Sequence, residues 1–142
     1  MQSQASKPIN IFLSWFHSLP VSQRQYIARL FFLCTTENSA DFALSPAEAL
    51  VRLENYILAP DFEVRKLSRL MIVRAVFDLI LNNYEKFEAL SRRVSMAAGQ
   101  NQGENVASLS AKQWERTIAS WRHFRSSVLT DKAIYLCLQR VL

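Results

Sequence analysis

Few side chains of this sequence are spaced so that they could share a chemical step. The two histidines, His17 and His123, lie far apart, and neither has a ligand or a nucleophile at the spacing that helical metal sites and hydrolase motifs use. The two cysteines, Cys34 and Cys137, are also distant from each other and complete no zinc pattern. We therefore expect no metal site, no cofactor and no catalytic residue, and we interpret the chain as a protein without enzymatic activity.

Asp78 is the carboxylate in the most apolar surroundings, because it lies within the apolar segment 70–81. An acid in such a segment acts either as a general acid or base or as a member of a structural ion pair. Arg74 lies one helical turn before Asp78, so we expect these two side chains to pair with each other. A structural role is therefore favoured over a catalytic one.

Both glycines, Gly99 and Gly103, fall inside the polar stretch 98–108, which reads AGQNQGENVAS. Glycine is needed at the sharp bend of a phosphate-binding loop, of a dinucleotide-binding fingerprint and of a two-residue hairpin turn. Because no glycine occurs outside this stretch, we expect none of these motifs in the rest of the chain. The stretch itself is polar and predicts a flexible loop. It separates the first helices from residues 109–142, which we expect to form a C-terminal helical hairpin.

The hydrophobic periodicity predicts an all-α fold with six or seven helices in one compact domain, residues 1–142. Pro8 fits the first turn of the first helix, and Pro20 ends that helix. Ser22, followed by Gln25 three residues later, predicts a capping box at the start of the second helix. The third helix should begin at Ser45, whose side chain precedes a proline and, three residues on, a glutamate.

Helix four, predicted for residues 62–82, follows Pro60 directly and has Asp61 as its expected cap. It is apolar on nearly every side from Leu70 onward, which predicts a long central helix with one narrow polar strip. That strip contains Glu63, Arg74, Asp78, Asn82 and Glu85. Residues 84–97 either extend this helix or form a separate helix after a break near Asn82 and Asn83.

Ser110 and Gln113 predict a further capping box, and the helix that follows has an inward apolar face that includes Trp121. Arg125 falls within this apolar face, where its guanidinium must stack on Trp121, bind a carboxylate or face a partner. The alternative is that the side chain extends to solvent near the C-terminus of the helix, where its positive charge is favourable. The residues that we expect to bind a partner are Arg116, Trp121, Arg122 and Arg125.

The net charge is +5, and the surplus lies in residues 61–142, which carry thirteen Lys and Arg against eight Asp and Glu. We expect a regulatory or adaptor module that binds another protein, acidic in the simplest case, through a basic helical surface lined with aromatic residues. Self-association through the apolar terminal helices is a further form of the same hypothesis.

Nucleic-acid binding is the alternative interpretation. Arg65, Lys66 and Arg69 occupy the opening turns of helix four after a tight turn, as base-reading residues do in a helix-turn-helix motif. Asp61 and Glu63 place negative charge where a phosphate would approach, which argues against this alternative. A DNA-binding regulatory protein is therefore the second hypothesis.

The N-terminal residues lack the charged and apolar regions of an export signal, and no apolar run approaches the ~20 residues that span a bilayer. The first helix has an aromatic face, but its polar face offers anionic lipid no positive charge beyond Lys7. A chain with only two cysteines suits a reducing compartment, so we expect a cytoplasmic protein. The sequence leaves open whether Cys34 and Cys137 form a disulfide.

Overall fold

Seven α-helices make up nearly all of the described part of a computed structural model, which covers residues 7–35, 44–97, 110–127 and 130–141. They are α1 (Lys7–Ser18), α2 (Val21–Thr35), α3 (Pro46–Leu58), α4 (Glu63–Asn82), α5 (Tyr84–Ala97), α6 (Ala111–Ser127) and α7 (Asp131–Val141). Within those residues there is no strand, and the helices pack into a single compact domain. The predicted all-α fold is confirmed, whereas the loop predicted for 98–108 lies outside the described residues.

Two of the predicted helix starts form as the sequence indicates. Ser45 is the N-cap of α3, and its Oγ accepts a hydrogen bond from the backbone N–H of Glu48 (3.2 Å). At the start of α6, the Ser110 N–H donates to Gln113 Oε1 (2.8 Å) while the Gln113 N–H donates to Ser110 Oγ (3.2 Å). This reciprocal pair is a complete capping box, which satisfies donors that the first turn of a helix leaves free.

Two other predicted caps are wrong. Helix α2 begins at Val21, so Ser22 lies inside its first turn, and the carbonyl of Pro20 accepts from the N–H groups of Gln23 and Arg24 (3.0 and 3.1 Å). The N-cap of α4 is Phe62 and not Asp61. Asp61 Oδ1 instead accepts from the Phe62 N–H at 2.8 Å, because the aspartate lies one residue too early to reach the first turn.

Helix α4 is the central helix of the domain, as predicted, and it contacts each of the other six helices. It ends at Asn82, and Asn83 leaves the helical conformation with φ −136° and ψ 34°. The chain then starts α5 at Tyr84, so residues 84–97 form a separate helix and do not extend α4. This break lets α5 pack against α2 as well as α4.

Aromatic rings from α1, α2, α4 and α6 form the centre of the core. Phe77 of α4 is completely buried, and the rings that surround it are Phe12, Trp15, Phe16, Phe31 and Trp121, with centroid distances of 5.4 to 6.5 Å. Helix α1 therefore docks onto the domain through its apolar face. The arrangement fixes the position of α6 against the centre of α4.

Hydrogen bonds between side chains further fix α6 relative to its neighbours. Trp15 Nε1 on α1 donates to Ser120 Oγ at 2.8 Å, and the Thr117 hydroxyl donates to Gln23 Oε1 on α2 at 2.9 Å. Helix α7 packs against α4, and its first residue, Asp131, contacts Arg74. The C-terminal helical hairpin expected for residues 109–142 stays a prediction.

Candidate interaction surface

The solvent-facing side of α4 includes a group of apolar residues in the middle of the helix. Met71, Ile72 and Leu79 have 39%, 48% and 50% of their surface exposed, and Ala75 between them is exposed as well. Ala75 follows Met71 and Ile72 by four and three positions and precedes Leu79 by four, so these side chains share one face of the helix. We call Met71, Ile72, Ala75 and Leu79 the α4 strip.

Two ionic residues in the C-terminal half of α4, Arg74 and Asp78, are by contrast turned toward neighbouring helices. Arg74 is only 12% exposed and forms an ion pair with Asp131 of α7. Asp78 faces α6, where it binds Trp121 and Arg125. The expected pairing of Arg74 with Asp78 is therefore wrong, because each finds a partner on another helix. The consequence is that α4 presents apolar side chains to water.

Asp78 joins α4 to α6 through two short hydrogen bonds. One carboxylate oxygen accepts from Trp121 Nε1 and the other from Arg125 Nε, each at 2.7 Å. Trp121 is buried, whereas Asp78 and Arg125 keep 25% and 39% of their side chains exposed. The sequence left four environments open for Arg125, and the structure shows that the guanidinium binds a carboxylate while the side chain stays partly exposed. Arg125 thus lies at the boundary between the core and the surface.

Arg122 of α6 lies at one end of the α4 strip. Its guanidinium donates to the side-chain oxygen of Asn82 at 3.3 Å, and Asn82 follows Leu79 by three residues on the same face of α4. Arg122 is exposed, and Asn82 is a neutral acceptor, so this contact leaves the positive charge of Arg122 uncompensated. A cation therefore borders the apolar strip.

The four residues predicted to bind a partner do not form one surface. Arg122 and Arg125 lie side by side against α4, but Trp121 is buried in the core. Arg116 is exposed, yet it precedes Arg125 by nine residues, which at ~100° per residue places it on the opposite side of α6. Trp114 and Phe124 are buried too, so the aromatic residues of α6 line the core and not the surface.

Sequence reasoning did not identify the α4 strip. It identified one narrow polar strip on α4 but did not predict which side of the helix faces solvent. The signal was present nonetheless, because a helix that is apolar on nearly every side must expose apolar residues wherever no neighbour covers it. Which arc stays uncovered depends on the positions of α6 and α7, which the sequence of α4 does not contain.

The basic residues of the nucleic-acid hypothesis each have an acidic neighbour. Arg65 and Arg69 bind Asp61 at 3.5 and 2.9 Å, and Lys66 binds Glu63 at 3.5 Å. The hydrogen bond from the Phe62 N–H lowers the pKa of Asp61 below its usual value, with Arg69 and Arg65 adding to the effect. A phosphate would have to displace these carboxylates, which weakens the hypothesis.

The two histidines lie on the surface of the protein. His17 lies 3.6 Å from Glu54, which is also 3.8 Å from Arg24, and both histidines are exposed. The described residues contain no group of three or more His, Cys, Asp or Glu placed to hold a metal ion. Cys34 is a free thiol, whereas the side chain of Cys137 lies outside what the structure describes.

Cys34 should react slowly with alkylating reagents. Burial raises the pKa of its thiol from 9.0 to about 11, so at pH 8 the folded protein holds about 100-fold less thiolate at this position than the unfolded chain. The rate of iodoacetamide labelling, measured by mass spectrometry in a Cys137→Ser variant, should therefore rise about 100-fold when the protein is unfolded in urea. Equal rates in the two states would show that the thiol is not buried.

Comparisons with protein-family models, with curated proteins and with solved structures found nothing that matches this chain. None of the described helices has the length and apolar character needed to cross a membrane. The function must therefore be inferred from the surface itself.

Proposed function

We propose that this protein is a non-catalytic interaction module, a regulatory or adaptor domain that binds a partner protein through the α4 strip and the adjoining edge of α6. The observation that carries the proposal is the orientation of α4, which directs Arg74 and Asp78 toward neighbouring helices and the apolar α4 strip toward solvent. Arg122 and Arg125 contribute the basic border of this surface.

The exposed apolar residues of the α4 strip are neighbours on one face of the helix. Single apolar side chains are common on protein surfaces, but Met71, Ile72 and Leu79 are neighbours on one face of a rigid helix, with Ala75 between them. Each keeps apolar surface in contact with water, which a partner would cover with a gain in free energy. A contiguous apolar strip with a polar border is typical of a binding site.

Two further parts of the proposal rest on the sequence. The spacing of histidines and cysteines supports a protein without enzymatic activity, and the low cysteine content supports a cytoplasmic location. Nucleic-acid binding through Arg65, Lys66 and Arg69 is the competing function, and the ion pairs at those residues count against it. A capture experiment with and without nuclease separates the two functions.

The tagged protein is incubated with a native cell extract, with and without nuclease, and the retained material is identified. We expect a defined protein to be retained in the presence of nuclease and to be lost when the bait carries Leu79→Asp, which places a charge in the α4 strip. The matched control is Val21→Asp, which introduces the same charge at a similarly exposed apolar residue (53%) in the first turn of α2. This control should retain the protein.

Two outcomes would contradict the proposal. Retention of nuclease-sensitive material alone, lost on Arg65→Glu, would favour nucleic-acid binding. Proteins retained equally by the wild type and by Leu79→Asp would show that the α4 strip is not the binding site. Circular dichroism of both variants checks that they keep their helical content.

A further inference from the structure

The α4 strip is bordered by positive charge at both ends. Arg122 stands beside Asn82, just beyond Leu79, and Arg65 lies 69% exposed on the same side of α4 as Ile72, seven residues before it. Because a helix rises 1.5 Å per residue, residues 65 and 82 are separated by about 26 Å. The surface therefore has an apolar centre and an arginine at each end. Its full length, including the arginines, is about four to five helical turns.

We infer that the partner of this surface, if the proposed function holds, is an amphipathic helix whose apolar residues lie on the α4 strip and whose acidic residues meet Arg122 and Arg65. An extended peptide usually binds by adding to the edge of a sheet, whereas the backbone groups of α4 are occupied within the helix. A polyproline segment binds between exposed aromatic rings, and the α4 strip contains none.

The side chains of the α4 strip suit a partner helix. Ala75 is small and lies between Met71 and Leu79, so the backbone of a second helix can approach closely there. Met71 is flexible and adapts to the shape of an apposed side chain. Apolar residues three, four and seven positions apart on the partner would lie along the strip, as in other complexes in which a helix occupies an apolar groove.

The charges favour an acidic helix as the partner. Arg122 has a neutral acceptor in Asn82, so a carboxylate from outside would supply the opposite charge that this contact lacks. Arg65 is 69% exposed but already has Asp61 at 3.5 Å, so it should contribute less to the binding of a carboxylate than Arg122 does. The net charge of +5 acts at longer range and increases the rate at which an acidic partner arrives.

A second copy of this chain suits the surface less well. Each copy has a charge of +5, so two copies repel each other. The strip offers three half-exposed side chains and one alanine, which is far less than the ~800 Å² per subunit that a stable dimer buries. The α4 strip is large enough to bind a short helix with moderate affinity.

The partner chemistry is tested with a displayed library of helix-forming peptides of about 18 residues, long enough to form a helix on binding, with all residue types allowed on one face. Peptides selected on the wild-type protein should carry apolar residues at helical spacing and a net negative charge. The affinity of one selected peptide, measured by fluorescence anisotropy, should fall about tenfold or more with Leu79→Asp and about tenfold with Arg122→Glu. Val21→Asp should leave it unchanged.

A charge reversal completes the test. Replacing the acidic residues of the selected peptide with lysine should weaken binding to the wild type and restore binding to the Arg122→Glu variant. The altered residues are exposed, so the variants should fold, and their thermal unfolding is measured as a check.

The modes of failure are distinguishable. Selected peptides that need Leu79 but are neutral or basic would overturn the inference about the partner and leave the proposed function standing. Peptides that bind Leu79→Asp as tightly as the wild type, or a library that yields no binder, would contradict both. A dimer detected by sedimentation at micromolar concentration and abolished by Leu79→Asp would show that the occupant is a second copy.

Discussion

Replacing Phe77 with alanine should remove a large part of the stability of this protein. The ring is completely buried, and five other aromatic rings lie within 6.5 Å of its centroid. Removing a buried phenylalanine ring costs about 3–5 kcal/mol through lost burial and the cavity that remains. Because a domain of this size is stable by only about 5–15 kcal/mol, Phe77→Ala should remove about a fifth or more of the free energy of unfolding. Urea unfolding followed by circular dichroism measures the change.

Phe62 provides the matched control for this prediction. It belongs to the same residue type and lies at the start of the same helix, but it is 76% exposed. Phe62→Ala should therefore change the free energy of unfolding by about 0.5 kcal/mol or less. Phe77→Leu, which fills most of the cavity, should cost about 1.5 kcal/mol, so the series stays measurable even where Phe77→Ala fails to fold. Similar losses for Phe62→Ala and Phe77→Ala would show that Phe77 is not at the centre of the core.

Replacing Asp78 with alanine should have the next largest effect. The change removes the acceptor of Trp121 Nε1, and a buried N–H without a partner costs about 1–3 kcal/mol. It also removes the ion pair with Arg125, but both side chains are partly exposed, so solvent screening limits that contribution to about 1 kcal/mol or less. We expect a total loss of about 2–3 kcal/mol in urea unfolding.

Three comparisons isolate the part played by Asp78. Asp78→Asn keeps an acceptor oxygen for Trp121 and should lose less stability than Asp78→Ala. Arg125→Ala leaves the bond to Trp121 in place and should cost about 1 kcal/mol or less. Glu88→Ala breaks an arginine–carboxylate pair of similar length (2.9 Å) on the surface of α5 and should cost about 0.5 kcal/mol or less. If Glu88→Ala were as costly as Asp78→Ala, the link between α4 and α6 would have no special structural role.

The sequence predicted the fold more completely than the surface. The capping boxes at Ser45 and Ser110 form because they depend on residues three positions apart, and the assignment of α4 as the central helix is confirmed because it follows from the apolar character of that helix. The cap proposed at Ser22 was wrong by two residues and the cap proposed at Asp61 by one. In both cases a nearby residue starts the helix, because the free-energy difference between neighbouring helix starts is small.

The surface could not be predicted because it depends on contacts between distant parts of the chain. Asp78 lies 47 residues from Arg125, so nothing in the local pattern around Asp78 shows which side of α4 the sixth helix covers. The sequence did indicate that Arg125 stood in an apolar face and left a carboxylate, an aromatic ring, a partner or solvent as its surroundings. It did not indicate that the carboxylate was Asp78, and the exposure of Met71, Ile72 and Leu79 follows from that pairing.

The rotation of α4 about its axis is the claim on which the proposed function depends, and paramagnetic relaxation in solution measures it directly. With a soluble paramagnetic agent present, the methyl signals of Ile72 and Leu79 should broaden strongly, because these side chains face water. The methyl signals of Leu70, Val73 and Ile80 on the same helix should broaden little, because they are buried. Strong broadening at the second set and protection of the first would show that α4 turns its apolar strip inward, which would contradict the proposed binding surface.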